Sequence, residues 1–423
     1  MDQLTTADGI PLKDSLYKAQ SRAKYRAFFL VAPLLLFIVV TFIFPIGQML
    51  YKSVNNTGFV ENKNFGTGVT TPIMTNLTEW FEQNPLGTDP DEAAYAALAA
   101  DFVVLRELRA PGQAGTRINY ERSGARSMFT KAARRAEKLE APFKEAIIEI
   151  DEDWADPAIW QAMRGASSAL TLNFYLAAVD RKRADDGTVT MVPENRQVYV
   201  TLFQRTLLLS LIITGACFLL AFPVAHLLAT LPMSKSNLLM ILVLLPFWTS
   251  LLVRTTSWMV LLQSQGVVND ALVGTGILAD ENRIQMMYNQ TGTIIAMVHI
   301  LLPFMILPLY SVMRMIDPSY VRAARSMGAT SWTAFRRIYF PQTVPGIGAG
   351  ALLVFILSVG YYITPALVGG ADGQLISNLI AFHMQKSLNW SLAAALAAIL
   401  LASVLLLYWI YDRLIGIDNL KLG

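Results

Sequence analysis

Long apolar runs alternate with short polar ones along most of this chain. A single large polar segment lies after the first run. The runs fall at residues 27–51, 205–231, 238–263, 292–313, 347–368 and 391–411. Each approaches or exceeds the ~20 residues a helix needs to cross hydrocarbon. A spanning segment must satisfy its own backbone groups, so the pattern predicts six transmembrane helices and an all-α membrane protein.

The polar segment, residues 52–201, has a different texture. Residues 55–72 read as loop. Residues 93–108 and 125–150 have helix-forming composition with mixed charges, and residues 158–179 form a third, more apolar helical candidate. Residues 180–197 read as a turn-rich return to the membrane. The expectation is a small helical domain outside the membrane. Both a cap over the spans and a docking surface for a soluble partner fit it.

Composition supports the membrane assignment. The 423 residues are 54% hydrophobic and 15% charged, against ~25% charged in soluble domains. The position of the charges then predicts orientation. Lys13, Lys18, Arg22, Lys24 and Arg26 precede the first run, and Arg314, Arg322, Arg325, Arg336 and Arg337 lie between the fourth and fifth. The stretches 265–291 and 369–390 hold one basic residue each, Arg283 and Lys386. By the positive-inside tendency, both termini and the 317–345 loop face the cytoplasm, and Arg413 and Lys421 fit the same side. The insertion is expected outside, because a loop that long translocates largely regardless of charge. The first run ends without a small-residue cleavage pattern and is read as a retained span. The expected layout is a 1–26 tail, a 27–51 span, the 52–201 insertion, a 202–415 core containing the 317–345 loop, and a 416–423 tail.

Several chemistries are missing. There is no GxxxxGK[ST] phosphate loop, no HExxH and no paired cysteine. Cys217 is the one cysteine, so no intrachain disulfide is available. The three histidines, His226, His299 and His383, are far apart in sequence. No metal site, nucleic-acid motif or catalytic set is expected. The runs also lack Asp and Glu between their ends. That argues against a secondary transporter, which needs an intramembrane acid or a broken-helix ion site. Arg254 is the one charge deep in a run. It either bonds carbonyls freed by a bend at Pro246 or lines a watery path. Trp248, Trp258, Tyr361 and Tyr362 offer faces to a cation and are equally suited to packing and interfacial anchoring. Tyr361 and Tyr362 precede Thr364 and Pro365, where a helix bend would open backbone to a cavity.

The 317–345 loop carries the most specific pattern. Pro318 suits the start of a short helix. Gly328 suits a turn with positive φ. Met327, Trp332, Phe335 and Ile338 or Tyr339 recur at helical spacing, as in an amphipathic helix at a membrane surface. Pro341 is expected to end that helix, with Pro345 before the next span. Ala323 and Ala324 are small enough for a partner to approach closely.

The run RAARSMGATSWTAFRRIYFP resembles the EAA loop of type I ATP-binding-cassette importer permeases. That pattern is Glu-Ala-Ala, three residues, Gly, nine residues, Ile-x-Leu-Pro. Ala323, Ala324, Gly328, Ile338 and Pro341 fall at the matching positions, and Ala329 follows the glycine. Arg322 stands where the pattern has Glu, and Phe340 where it has Leu. Residues 203–423, together with the first span, are similar to the spermidine/putrescine permease branch, carried by LLPFWTSLLVRTTSWMVLLQSQGVVN and GYYITPALVGGADGQLISNLI. The insertion lies outside the resemblance.

The resemblance implies a six-helix importer permease fold and a non-enzymatic inner-membrane subunit that works by alternating access. It implies no cofactor in this chain, with ATP and Mg held by a partner. It also implies an ATPase dimer, a second homologous permease, a periplasmic solute-binding protein and surrounding lipid as partners. Polyamine is the implied solute; an opine, an amino-acid derivative or a phosphonate is the alternative. A membrane sensor, the other rival, would need an output domain, and no polar cytoplasmic segment is long enough for one.

Overall fold

The computed structural model describes residues 12–63, 68–184 and 187–415. The 416–423 tail, with Lys421, lies outside them. Helices dominate, and the two small sheets are hairpins in the insertion.

Helices long and apolar enough to cross a membrane are Ala23–Val54, Tyr199–Thr230, Gln290–Met315, Ser331–Gly360 and Trp390–Arg413. The expected span at 238–263 is different. It is a pair, Met233–Trp248 and Leu251–Gly274, bent by 96° at the break. The cause is local. Pro246 sits at the start of a tight 3₁₀ turn, Leu245–Trp248, and Ser250 restarts the helix by accepting the Val253 N–H at 3.2 Å. Among the described residues there are thus five continuous candidate spans and one broken pair.

The core is built on the second, fourth and fifth spans, whose buried faces include Ile213, Cys217, Leu301, Met305 and Val354. Small residues permit the close approach. A Cβ on Gly350 would crowd the Met305 side chain and backbone, and one on Gly346 would meet the Pro308 carbonyl at 3.1 Å. The first span behaves differently. It buries nothing over its most apolar stretch and packs through its second half, Phe44–Val54, on the last span.

The fifth span requires a correction. It was expected over 347–368, after a helix ended by Pro341. Instead the helix starts at Ser331, passes through a π turn at Phe335–Tyr339 and continues as Phe340–Gly360. Pro341 comes just after the π turn and Pro345 lies inside the last segment, so the helix runs through both. The helix stops at Tyr361, which is extended, and a short helix, Ile363–Val368, follows.

The insertion folds around its own core, in which Trp154, Tyr95, Phe102 and Phe129 are fully buried. The stretch at 93–108 forms Glu92–Glu107. The one at 125–150 splits into Ala125–Arg135 and Phe143–Ile150. The one at 158–179 splits into Pro157–Ser167 and Asn173–Ala178. Two stretches read as loop contain the hairpins Glu61–Lys63/Thr70–Pro72 and Arg181–Arg183/Val189–Met191. Asp101 closes the core. It accepts the Leu77 N–H and the Asn76 amide, capping the helix Thr75–Gln83, and burial holds its carboxyl above the usual range.

Candidate functional site

Two places carry the residues singled out by sequence. The first is the segment between the fourth and fifth spans. Asp317 caps the helix Pro318–Ser326 by accepting the Ser319 N–H at 2.8 Å. Those bonds from Ser319, helped by nearby Arg322, hold its carboxyl below the usual range. The helix ends in a left-handed turn: Gly328 has φ +91°, and the Ala329 N–H returns to the Ala324 carbonyl at 3.0 Å. Thr330 then caps the next turn by accepting the Thr333 N–H.

The faces of this segment are now defined. Ala324 is buried in the chain itself, Ala329 and Ile338 are half-buried, and Arg322 and Ala323 face outward. Ala324 is therefore not the open seat for a partner that its size suggested. Sequence also placed Met327 and Trp332 on an amphipathic surface helix. Both are exposed, at 83% and 67%, and Tyr320 is exposed as well. A Cβ on Gly328 would meet nothing, so the glycine answers a backbone requirement.

Behind this outward face runs an aromatic column. Trp332 stacks on Phe335 (5.7 Å between ring centroids), and Phe335 stacks on Tyr339 (6.0 Å). Phe335 also meets Phe222 edge-on. His226 bonds the Tyr339 hydroxyl at 2.9 Å. Arg314 completes the join, donating to the Ala229 carbonyl at the end of the second span. Sequence reasoning named His226 and Arg314, with a hydrogen-bonded packing role for His226, but not their partners; no short-range pattern links residues this far apart.

The second place is a crevice of about 250 Å³ at the broken span. Pro246, Thr249, Arg254, Ser257, Trp258 and His299 are among its lining. The Trp258 indole donates to His299 Nδ1 at 3.0 Å. Arg254 Nε is buried with no acceptor among the described residues. The structure thus brings Arg254 and Trp258 together. Trp248, 74% exposed, is outside the lining, as are Tyr361 and Tyr362. The two tyrosines mark the break after the fifth span, where the Tyr362 carbonyl accepts the Asn378 amide. Thr255 and Thr364 join the broken span to that break at 3.2 Å.

Residues 206–415 fit the family described as binding-protein-dependent transport system inner membrane component. The spermidine/putrescine transport system permease protein PotB of Escherichia coli (strain K12) is 37% identical over 222 residues, which is 52% of this chain and 80% of that protein. The chain belongs to this permease family. PotB of Haemophilus influenzae is 36% identical over 257 residues, covering 59% of this chain and 89% of that protein. A chain of a crystallised bacterial alginate ABC transporter, in complex with an alginate-pentasaccharide-bound periplasmic protein, aligns at 20% identity and TM-score 0.44. It covers 53% of this chain and 80% of the other. This chain is accordingly a multi-pass inner-membrane permease of a binding-protein-dependent ABC importer, a transport subunit rather than an enzyme. The family match lies entirely C-terminal to the insertion.

Proposed function

We propose that this permease carries polyamines of the spermidine/putrescine class into the cell. The observation that supports this is the 37% identity to the E. coli spermidine/putrescine permease over 80% of that protein. An ATPase dimer supplies the ATP and Mg chemistry, a second homologous permease completes the pore, and a periplasmic binding protein delivers the solute. The termini and the 317–345 loop face the cytoplasm, and the insertion faces outward.

In this reading Arg322, Ala323, Gly328, Ala329, Ile338 and Pro341 form or support the ATPase-coupling segment, with Ala324 anchoring it from behind. Met327 and Trp332 supply the surface the ATPase grips. ATP-driven approach of the motor subunits pushes on this segment, and the spans reorient around a central cavity. The crevice holding Arg254 and Trp258 belongs to the moving path, with Tyr361, Tyr362 and Trp248 framing its surroundings. Asp270 and Asp412 lie only near the ends of their spans, and Asp270 is paired with Arg283, so this chain holds a polycation weakly and selection rests with the binding protein.

The test is ATP hydrolysis by the reconstituted complex. Binding protein loaded with spermidine or putrescine is expected to stimulate it, and the free polyamines are not. Stimulation only by binding protein loaded with another solute would remove the polyamine assignment. Strong stimulation by free polyamine would place selection in the membrane.

A further inference from the structure

The insertion has two kinds of surface. Between residues 55 and 169, the exposed large hydrophobic side chains among the described residues are Val69 and Leu86. The 29 residues from 170 to 198 carry far more: Leu170, Leu172, Val179, Val189, Met191 and Val198 are all exposed. This stretch is tied to the ends of two spans. The Thr171 N–H donates to the Val54 carbonyl at 2.8 Å, where the first span ends. Asp180 accepts the N–H groups of Val198, Tyr199 and Val200, where the second begins. Wet apolar surface is thus concentrated where the insertion meets the hydrocarbon.

The second hairpin adds charge to that surface in a defined register. Arg181 lies opposite Met191, Lys182 opposite Thr190, and Arg183 opposite Val189. Opposed residues share a face and alternate residues return to it. Arg181, Arg183, Val189 and Met191 therefore project from one face, and Lys182 and Thr190 from the other. All six are exposed. The sequence joining the strands holds Asp185 and Asp186, which lie outside the described residues.

An apolar side chain beside an arginine, repeated along a ribbon at the end of a span, suits one environment. At headgroup depth the apolar groups enter the acyl boundary. Long arginine stems reach back so that the guanidinium meets phosphate oxygens in a charge-assisted, bidentate geometry. We propose that the paired strands Arg181–Arg183 and Val189–Met191 and the adjoining Leu170–Leu172 edge lie in the bilayer interface, with Arg181 and Arg183 binding the phosphates of anionic phospholipids. This fastens the insertion to the membrane beside the second span and limits how far it swings.

The test uses the full chain with Cys217→Ser, assembled in nanodiscs containing phosphatidylglycerol. Spin labels are placed at Met191→Cys on the ribbon's membrane face, Lys182→Cys on its other face and Glu82→Cys, an exposed position on the helix Thr75–Gln83 of the insertion. The label at 191 is expected to gain oxygen accessibility and lose accessibility to a water-soluble nickel reagent, relative to both controls. Arg181→Gln with Arg183→Gln is expected to shift it toward water, as is replacement of the anionic lipid by phosphatidylcholine. Equal aqueous accessibility at 191 and 82 would overturn the proposal. So would protection from nickel without a gain in oxygen, which marks a protein partner over this face. A Val189→Cys label reads the same face should Met191→Cys fail to assemble.

Discussion

The Tyr339 hydroxyl and His226 Nδ1 lie 2.9 Å apart, joining the π turn of the 317–345 segment to the last turns of the second span. Their rings pack edge to face at 5.0 Å, and Phe335 stacks on the other side of Tyr339 toward exposed Trp332. A push on Trp332 therefore meets a continuous column of rings that ends on the second span.

Tyr339→Phe keeps the ring and removes the hydrogen bond, a loss of about 1 kcal/mol. The variant is expected to assemble with its ATPase and hydrolyse ATP, yet move several-fold less solute per ATP. Comparing uptake with hydrolysis in proteoliposomes measures that ratio. An unchanged ratio would confine the contact to packing.

Gly328 supplies a second test, because the structure separates two reasons for a glycine. Its left-handed backbone costs most residues roughly 1–2 kcal/mol, whereas asparagine tolerates that region. The space around its Cβ position is open within this chain. Gly328→Val is expected to weaken co-purification of the ATPase, and Gly328→Asn to preserve it. Loss in both variants would mean that the partner itself packs against the glycine.

The spans and the short helix and turn at 318–328 were legible in sequence because each has a local signature. Span length follows from apolar run length, and the turn follows from Gly328. The break after Pro246 was legible only in part: a proline announces a bend, but its 96° depends on where Ser250 restarts the helix. The start of the fifth span was misread because two prolines and two arginines look like punctuation. The helix instead runs through both prolines by way of the π turn, and Arg336 and Arg337 lie on exposed positions of that turn. His226 with Tyr339, and Trp258 with His299, were beyond reach, since each pair joins two different spans. The insertion's hairpins were missed because three-residue strands carry too little alternation to read.

Arg254 leads to a third prediction. A guanidinium nitrogen buried without an acceptor is costly, and the Trp258–His299 pair lies in the same crevice. A watery path or passing solute would relieve that cost. Arg254→Met is expected to raise or preserve thermal stability in detergent while lowering uptake about tenfold, the effect of losing one charged contact. Lower stability together with normal uptake would make Arg254 a structural residue.

Orientation can be checked directly. With Cys217 replaced, single cysteines at Ser123 and Ser331 sit on exposed positions of the insertion and of the coupling segment. An impermeant thiol reagent added to intact cells, with the outer membrane made leaky, is expected to label only the Ser123→Cys variant. Labelling of Ser331→Cys alone would invert the topology.

The last prediction concerns the joint between the insertion and the core. Asp180 has φ +56° and is 2% exposed, so its backbone is strained and its carboxylate leaves water. Both costs are offset at one place. The two carboxylate oxygens accept the N–H groups of Val198, Tyr199 and Val200, at 3.0, 3.1 and 2.8 Å, which begin the second span. These are donors that a helix cannot satisfy from within, and a negative charge there also meets the positive end of the helix dipole. Asp180→Ala removes every acceptor and is expected to cost about 2 kcal/mol or more, read as a lower midpoint of thermal unfolding in detergent. Asp180→Gly relieves the left-handed backbone but loses the same cap, so it should recover only the strain and remain well below the parent chain. Asp180→Asn keeps one good acceptor and should fall between the parent and the alanine variant. If the glycine variant matches the parent, the strain outweighs the cap and Asp180 does not hold the joint.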